Sequence, residues 1–191
     1  MAIDLEYFVE TTTNQNVICT LQLSCASRDM VIDCLRIQFG VVKKYIQPMF
    51  RSSAITKVLH GCEQDLIILK TNFNLSIVNS MDTAKVEMLL LDKIEMPGLK
   101  MLSVKYLHGL EMDKEYQTSE WRLRPLPKAM LEYARCDSLN LLLIYLNILK
   151  AIPITKVRDI VSSNLKTALK NNKQQAQLIK GICPNKGASD S

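Results

Sequence analysis

Two acidic residues stand one position apart in the first strand-like segment of the chain. Asp4 and Glu6 alternate with Ile3 and Leu5 in the run AIDLEY. Because the side chains of a strand alternate between its faces, the two carboxylates point one way and the two aliphatic residues the other. Like charges at this spacing raise a pKa or require a cation between them, usually a divalent metal. The alternative is an edge strand with a solvated polar face, since D-x-E is a short pattern.

Two further acids could complete a metal site. Asp65 follows a predicted strand and lies in the first turn of a predicted helix, EQDLIILKTNF. Asp137 lies in the apolar helical pattern YARCDSLNLLLIYL, and Tyr133 precedes it by one turn on the same helix face. A carboxylate among aliphatic residues needs a partner. That partner is either a cation shared with the other acids or a base such as Arg135.

The composition is that of one globular domain. The chain has 191 residues, of which 48% are hydrophobic and 23% charged, enough to bury a core without crosslinks. No apolar run approaches the roughly 20 residues of a membrane span, and the acidic first strand is unlike a signal peptide. The six cysteines are scattered, with no C-x-x-C pair and only two histidines. We therefore expect no zinc site, reduced thiols and an intracellular protein without membrane contact.

The positive charge is concentrated at the C-terminal end. Residues 1–149 contain 16 Lys and Arg against 17 Asp and Glu, whereas residues 150–191 contain 8 against 2. The sequence therefore predicts a basic tail over residues 151–191, partly helical or disordered. Such a tail is either an electrostatic arm for a polyanion such as nucleic acid or a solubilising extension.

Strand and helix patterns alternate in a way that predicts an α/β fold. The first strand, VICTLQLS and DMVIDCL are joined by short turns, which favours an antiparallel meander. A helix is predicted over FGVVKKYIQPMF, ending near Pro48, and short strands over TKVLHG and LSIVNS. Asp82 is placed to cap a helix over TAKVEMLLL. Two more helices are predicted, over LKMLSVKYL and over the segment from Pro127 to Leu149. Helices should cover both faces of a mixed five-stranded sheet.

The three acidic motifs, in this order, resemble those of the DEDD 3'-5' exonucleases in the tyrosine-bearing subgroup. The stretch KEYQTSEWRLRPLPKAMLEYARCD is similar to the segment that marks the ribonuclease D family. KVLHGCEQDLIILKTNFNLSIVNSMDT is similar to its eukaryotic branch, the exoribonuclease that works with the nuclear RNA exosome. The resemblance covers roughly residues 2 to 150. It implies a ribonuclease H-like 3'-5' exonuclease fold for an exonuclease domain over residues 1–150.

The resemblance also implies a metal-dependent hydrolysis of RNA. The implied catalytic residues are Asp4, Glu6, Asp65, Tyr133 and Asp137. The four acids would hold two divalent cations, Mg²⁺ with Mn²⁺ as a substitute, and the tyrosine would orient the attacking water. Lys114 corresponds to a lysine near the terminal nucleotide, and the backbone of Leu5 is expected near the terminal sugar. The expected substrate is the 3′ end of single-stranded RNA, and the products are nucleoside 5′-monophosphates.

The resemblance also bears on the location and partners of the protein, and the sequence differs from the family pattern at a few positions. By resemblance the protein is nuclear, is a monomer and could work with the RNA exosome. Cys136 replaces an acid or small residue usual in that branch, Ile68 replaces a frequent aromatic, and Tyr7 and Phe8 replace histidines, but none of these removes a metal ligand. The helical C-terminal domain that ribonuclease D relatives share with some helicases is expected to be absent, because 41 residues follow Lys150.

Two other functions stay open at this point. One is a DNA exonuclease of the same superfamily, against which the stretch WRLRPLP argues. The other is a catalytically silent RNA-binding or scaffold module, against which the presence of all four acids and the tyrosine argues.

Four residues near the motifs have simpler interpretations. His60 is expected to be a hydrogen-bonded residue at a strand end, and Trp121 is expected to pack against the long helix. Arg122 and Arg124 either contact phosphate or brace the turn at Pro125, and the sequence does not choose between these roles.

Overall fold

The computed structural model describes residues 1–91, 94–110, 112 and 114–152, so the predicted basic tail lies almost entirely outside the described residues. The described part of the chain contains five strands and five helices. The strands are β1 (Ala2–Glu10), β2 (Gln15–Cys25), β3 (Arg28–Asp33), β4 (Lys57–Leu59) and β5 (Ser80–Asp82). The helices are α1 (Phe39–Arg51), α2 (Glu63–Phe73), α3 (Thr83–Leu91), α4 (Leu99–Tyr106) and α5 (Lys128–Ala151).

The strands form one mixed sheet in the order β3-β2-β1-β4-β5. Strands β1, β2 and β3 pair antiparallel, and β4 pairs parallel with both β1 and β5. The predicted five-stranded sheet with its meander is therefore confirmed. Strand β1, which carries Asp4 and Glu6, is the middle strand of this sheet. The alternative of a solvated edge strand is wrong.

Alternation along β1 directs its residues to two different helical layers. Ile3 and Leu5 join a core cluster with residues of α1 and α2, such as Phe50 and Ile68. Ala2 faces the opposite side, where it packs with Leu141 and its neighbours on α5. Helices thus cover both faces, as predicted. Asp4 and Glu6 share the parity of Ala2 and lie on the face that α5 covers.

Two predicted boundaries are wrong. Helix α1 continues past Pro48 to Arg51, because Phe50 is fully buried in the core and holds the last turn in place. The strand predicted over LSIVNS, residues 75–80, begins later than expected, because β5 starts only at Ser80. There the backbone N–H of Val78 donates to the carbonyl of Phe50 at the end of α1, and Asn79 has a positive φ of 53°, so the extended run is interrupted.

A β-bulge interrupts the pairing of β1 with β2 beside the acidic residues. Glu6 lies opposite Thr20 and Tyr7 lies opposite Ile18, so Cys19 is an extra residue on β2. A bulge bends its strand and is common next to active sites. Here the carbonyl of Cys19 accepts hydrogen bonds from the backbone N–H of Cys34 and from Arg124, so the extra residue is held on both sides.

The described residues also bear on two expectations from the composition, about membrane spans and about the cysteines. None of their helices is both long and apolar enough to cross a membrane. Their cysteines are free thiols, namely Cys19, Cys25, Cys34, Cys62 and Cys136.

Candidate active site

Three carboxylates converge where β1 meets α5. Asp4, Glu6 and Asp137 each offer an oxygen, and these oxygens all lie within 4.8 Å of one another. Residues 4 and 6 come from one face of the middle strand, and residue 137 comes from the helix packed on that face. Oxygen ligands at this separation suit a hard divalent cation, which prefers carboxylates and water.

Burial raises the pKa of Asp4 and Glu6, and repulsion between charges adds to the shift at Glu6. Burial raises the pKa of Asp4 to about 6. The pKa of Glu6 rises to about 9, mainly through burial and then through the charges of Asp4, Asp137 and Asp65. Carboxyl groups with pKa values this high hold protons near neutral pH, and a bound cation would keep Asp4 and Glu6 ionised.

Asp65 lies beside this group but outside the set of three mutually close carboxylates. It occupies the first turn of α2, as predicted. Burial raises its pKa to about 7, and the charge of Asp4 is the next cause, which shows that the two carboxyl groups interact. The turn before α2 is fixed by Asp82, whose carboxylate accepts the backbone N–H groups of Gly61 at 2.9 Å and Cys62 at 3.2 Å.

Asp82 has a second role at the start of the next helix. The backbone N–H of Ala84 donates to its carboxylate at 3.0 Å, which confirms the predicted cap of α3. Gly61 needs its positive φ of 60° in the same turn, a conformation in which glycine is strongly favoured. These bonds connect the end of β4, the end of β5 and the start of α2.

A cleft of about 600 Å³ opens over the carboxylates. Three of the residues predicted from the sequence, namely Leu5, Lys114 and Tyr133, line it together with Asp4, Glu6 and Asp137. His60, Lys100 and Trp121 also contribute to its wall. The structure thus brings the predicted residues to one cleft, with Asp65 adjacent to it.

Tyr133 lies one turn before Asp137 on α5, as the spacing predicted. Its pKa is raised well above the ordinary value by burial and then by the Asp137 carboxylate, through charge and hydrogen bonding. The ring packs between Tyr116 at 5.8 Å and Trp121 at 6.1 Å between centroids. The phenol therefore remains protonated at neutral pH and has a fixed direction.

His60 and Trp121 have the simpler structural roles expected for them, and Arg135 pairs with other acids. The Nδ1 atom of His60 lies 2.9 Å from the Thr83 hydroxyl, and burial lowers the pKa of this histidine, as fits a strand-end residue. Trp121 packs with Met130 and Ala134 of α5, as predicted. Arg135 donates to Asp29 and Glu132.

The two arginines of the WRLRP stretch have different roles. Arg124 is the brace, because its guanidinium donates to both oxygens of Asp33 and to the carbonyls of Cys19 and Trp121. Arg122 pairs with Glu120 and lies over the ring of Phe8.

One set of polar residues near the acids was missed in the sequence. Thr20, Gln22 and Ser24 are fully buried on β2. They lie opposite Glu6, Asp4 and Ala2 respectively. The signal was available, because the three alternate with Leu21 and Leu23 in TLQLS, which places them on one face of the strand.

Comparisons with known proteins place this fold and site in a family. Residues 1–153 match the family described as 3'-5' exonuclease. The chain is 35% identical over 144 residues to Protein RRP6-like 1 of Arabidopsis thaliana. This match covers 75% of this chain and 22% of that protein. It is 32% identical over 149 residues to the exosome complex exonuclease RRP6 of Saccharomyces cerevisiae, covering 76% and 19% respectively.

A solved structure gives the same result. The catalytic core of RRP6 from Trypanosoma brucei superposes with a TM-score of 0.74 at 27% identity, covering 88% of this chain and 45% of that one. A mixed sheet with an acidic cluster beneath a cleft is the architecture of an exonuclease domain. The chain belongs to the 3'-5' exonuclease family, and the resemblance seen in its motifs and the fold expected from it are confirmed. It spans about a fifth of the length of the curated relatives it matches.

Proposed function

We propose that residues 1–150 form a divalent-metal-dependent exoribonuclease domain that shortens single-stranded RNA from its 3′ end and releases nucleoside 5′-monophosphates. The observation that carries the proposal is the convergence of Asp4, Glu6 and Asp137 within 4.8 Å beneath an open cleft. An RNA 3′ end can enter a cleft of this kind, and a cation would offset the repulsion among carboxylates gathered this closely.

The residues present fit a pair of divalent cations. When bound, such cations would neutralise charge on the scissile phosphate and make a bound water more acidic. Asp4 lies close to Glu6 and Asp137 and raises the pKa of Asp65, so it would serve both cations, with Glu6 and Asp137 completing one site. Asp65 would support the other site, because its carboxyl group interacts with that of Asp4. Mg²⁺ fits best, as a hard ion that retains waters, and Mn²⁺ could replace it.

The remaining residues of the cleft would position the substrate and the water. The protonated phenol of Tyr133 would hydrogen-bond and direct the attacking water, and its raised pKa makes it unsuited to act as a base. Lys114 is an exposed cation on the cleft wall, placed to contact phosphate of the terminal nucleotide. The backbone of Leu5 lies between two of the acids, where the terminal sugar would approach.

The choice of RNA, and of a cellular setting, is supported by relatives. Proteins named as exosome components from several eukaryotes share 31 to 35% identity with this chain. We propose that the protein acts in the nucleus and associates with the RNA exosome during RNA processing or decay. A single copy of the chain suffices for the chemistry, because every proposed ligand comes from one chain, and a monomer is therefore proposed.

A direct test uses the purified protein and an end-labelled single-stranded RNA, with Mg²⁺ or with EDTA. The expected result is a ladder of products shortened from the 3′ end, with Mg²⁺ only. An RNA with a blocked 3′ hydroxyl is the substrate control and should be shortened far more slowly. Full-length RNA after prolonged incubation with Mg²⁺ or Mn²⁺ would favour the catalytically silent RNA-binding or scaffold module.

The alternative of a DNA exonuclease is tested with a matched oligonucleotide. RNA recognition through the 2′-hydroxyl of the terminal sugar predicts faster shortening of RNA than of DNA of the same sequence. Faster shortening of DNA would assign the domain to the DNA exonucleases of the superfamily.

A further inference from the structure

The side chain of Gln22 has one unused hydrogen-bonding atom in the interior. Gln22 lies on the middle of β2 and is fully buried. Its Nε2 donates to the Thr20 hydroxyl at 2.9 Å, whereas its Oε1 has no hydrogen-bond partner among the described residues. Burial of an amide oxygen without a partner is destabilising and uncommon in folded proteins.

One of the two residues that pair with Gln22 across the sheet is acidic. Asp4 lies directly opposite it on β1, and Val31 lies opposite it on β3. Side chains directly opposite in antiparallel strands have Cβ atoms about 4.5 to 5.5 Å apart. Along β2, the hydroxyl of Ser24 pairs with that of Ser138 at 2.8 Å and belongs to a different contact. Of the two residues that pair with Gln22 across the sheet, Asp4 is therefore the one with a polar side chain.

Rotation of the amide by 180° about its last torsion would exchange the positions of its two polar atoms. After this rotation, Oε1 accepts from the Thr20 hydroxyl and Nε2 lies where the unpaired oxygen lay. A carboxylate that holds a cation is charged and can only accept hydrogen bonds. Thr20 and Gln22 together would then support the two acids of β1 from behind, since Thr20 lies opposite Glu6.

We propose that Gln22 is a positioning residue for Asp4: its side-chain amide, held by Thr20, donates a hydrogen bond to the Asp4 carboxylate and directs its other oxygen toward the cations. The proposal deepens the proposed function and rests on it, because it requires Asp4 to be a metal ligand. Groups that orient a metal ligand in this way typically change metal affinity about 10- to 100-fold when removed.

The test measures metal binding without catalysis. Mn²⁺ is titrated into the protein in the absence of RNA, and its dissociation constant is measured calorimetrically for the parent chain and for Gln22→Met. Methionine keeps the length and burial of the side chain but removes the N–H donor. We expect Gln22→Met to bind Mn²⁺ about 10-fold or more weakly. Ser24→Ala is the matched control, because it removes a buried hydrogen bond from the same face of β2 at the position opposite Ala2, which bears no acid, and its Mn²⁺ affinity should equal that of the parent.

The outcomes separate this proposal from the proposed function. If the parent chain binds no Mn²⁺, the metal assignment itself is wrong, and the positioning role is wrong with it. If the parent binds Mn²⁺ and Gln22→Met binds it equally well, the positioning role is wrong while the metal site stands. An equal loss of affinity in Ser24→Ala would assign the effect to packing and overturn the proposal. If Gln22→Met does not fold, Thr20→Val decides, with a weakening of Mn²⁺ binding expected and an unchanged affinity contradicting the role.

Discussion

Asp4 on the middle strand and Asp137 on the last described helix present carboxylate oxygens within 4.8 Å of one another, although they lie near opposite ends of the described chain. Strand β1 and helix α5 are in contact along the sheet face that bears the acids. The position of α5 on the sheet therefore sets the geometry of the site.

Replacing either of these acids by its amide should abolish RNA shortening. Asp4→Asn and Asp137→Asn each remove a charged ligand, and we expect the rate in Mg²⁺ to fall about 100-fold or more. In EDTA the same variants should melt a few degrees higher than the parent, because less like-charge repulsion acts on Glu6. Glu63→Gln, at an exposed site paired with Lys85, is the control. Parent-like RNA shortening by either variant would contradict the metal site.

Loss of the Tyr133 hydroxyl should have a smaller effect. Tyr133→Phe keeps the ring packed between Tyr116 and Trp121 and keeps all four acids, but it leaves the attacking water less well oriented. We expect the turnover rate to fall about 10- to 100-fold at unchanged Mn²⁺ affinity. Single-turnover rates and Mn²⁺ titration measure the two quantities separately. A loss of metal affinity in this variant would mean that Tyr133 supports the ligands instead.

The metal-free protein should become less stable as the pH rises from about 5 to 7.5. The pKa of Asp4 is about 6 and that of Asp65 about 7 in the folded chain, above the ordinary value of 3.8. The folded chain therefore holds more protons than the unfolded chain, and this contribution to stability is lost as the pH passes through the folded values. The pKa of Glu6, about 9, acts in the same direction. The lowered pKa of His60 and that of Lys57, about 8, act in the opposite direction, and the three carboxyl groups outweigh His60 below pH 7.5.

Thermal melts across this range, in EDTA and in Mg²⁺, measure the effect. The melting temperature in EDTA should fall with pH, and the stabilisation by Mg²⁺ should grow, because the cation replaces the protons. The Asp4→Asn variant should show a flatter dependence in EDTA. A melting temperature in EDTA that rises steadily from pH 5 to 7.5 would contradict this prediction.

The Arg124 brace should contribute to stability and not to RNA binding. Its guanidinium is mostly buried and donates to Asp33 on β3 and to the carbonyl of Cys19 in the bulge. Arg124→Ala leaves the Asp33 carboxylate without its cation and should lower the free energy of unfolding by about 2 to 4 kcal/mol. Arg122→Ala, which removes an exposed pair with Glu120, is the control and should change the stability far less. Urea unfolding measures both. A larger loss in Arg122→Ala would reverse the assignment.

The basic tail is predicted to supply long-range attraction for RNA. Residues 1–149 carry a net charge of −1 and residues 150–191 a net charge of +6. Deleting residues 155–191 should make RNA affinity less dependent on salt, by roughly two to three units of slope if three or four phosphate contacts are lost. Binding across a salt series in the Asp137→Asn background measures this. An unchanged slope would leave the tail as a solubilising extension, and a loss of turnover at saturating RNA would show that it is part of the fold.

Local patterns predicted most of the site, and long-range packing decided the rest. Strand alternation placed Asp4 and Glu6 on one face, and helical spacing placed Tyr133 beside Asp137, because both follow from the backbone period alone. No local pattern shows that α5 crosses that face of the sheet, or that β2 gains an extra residue at Cys19. These features depend on pairing between distant segments, and the resemblance to the exonucleases indicated only that Asp137 acts together with the other acids.

Among the described helices, the one that completes the carboxylate cluster is the last to be made. A growing chain that has finished β1 and the sheet holds Asp4 and Glu6 but lacks Asp137 until α5 is synthesised. Protein domains are made from the N-terminus, so the nascent domain carries an incomplete metal site throughout most of its synthesis. A ribosome-bound fragment of this protein should therefore be unable to degrade the messenger and ribosomal RNA around it, and the same holds for any product of a premature stop before residue 137.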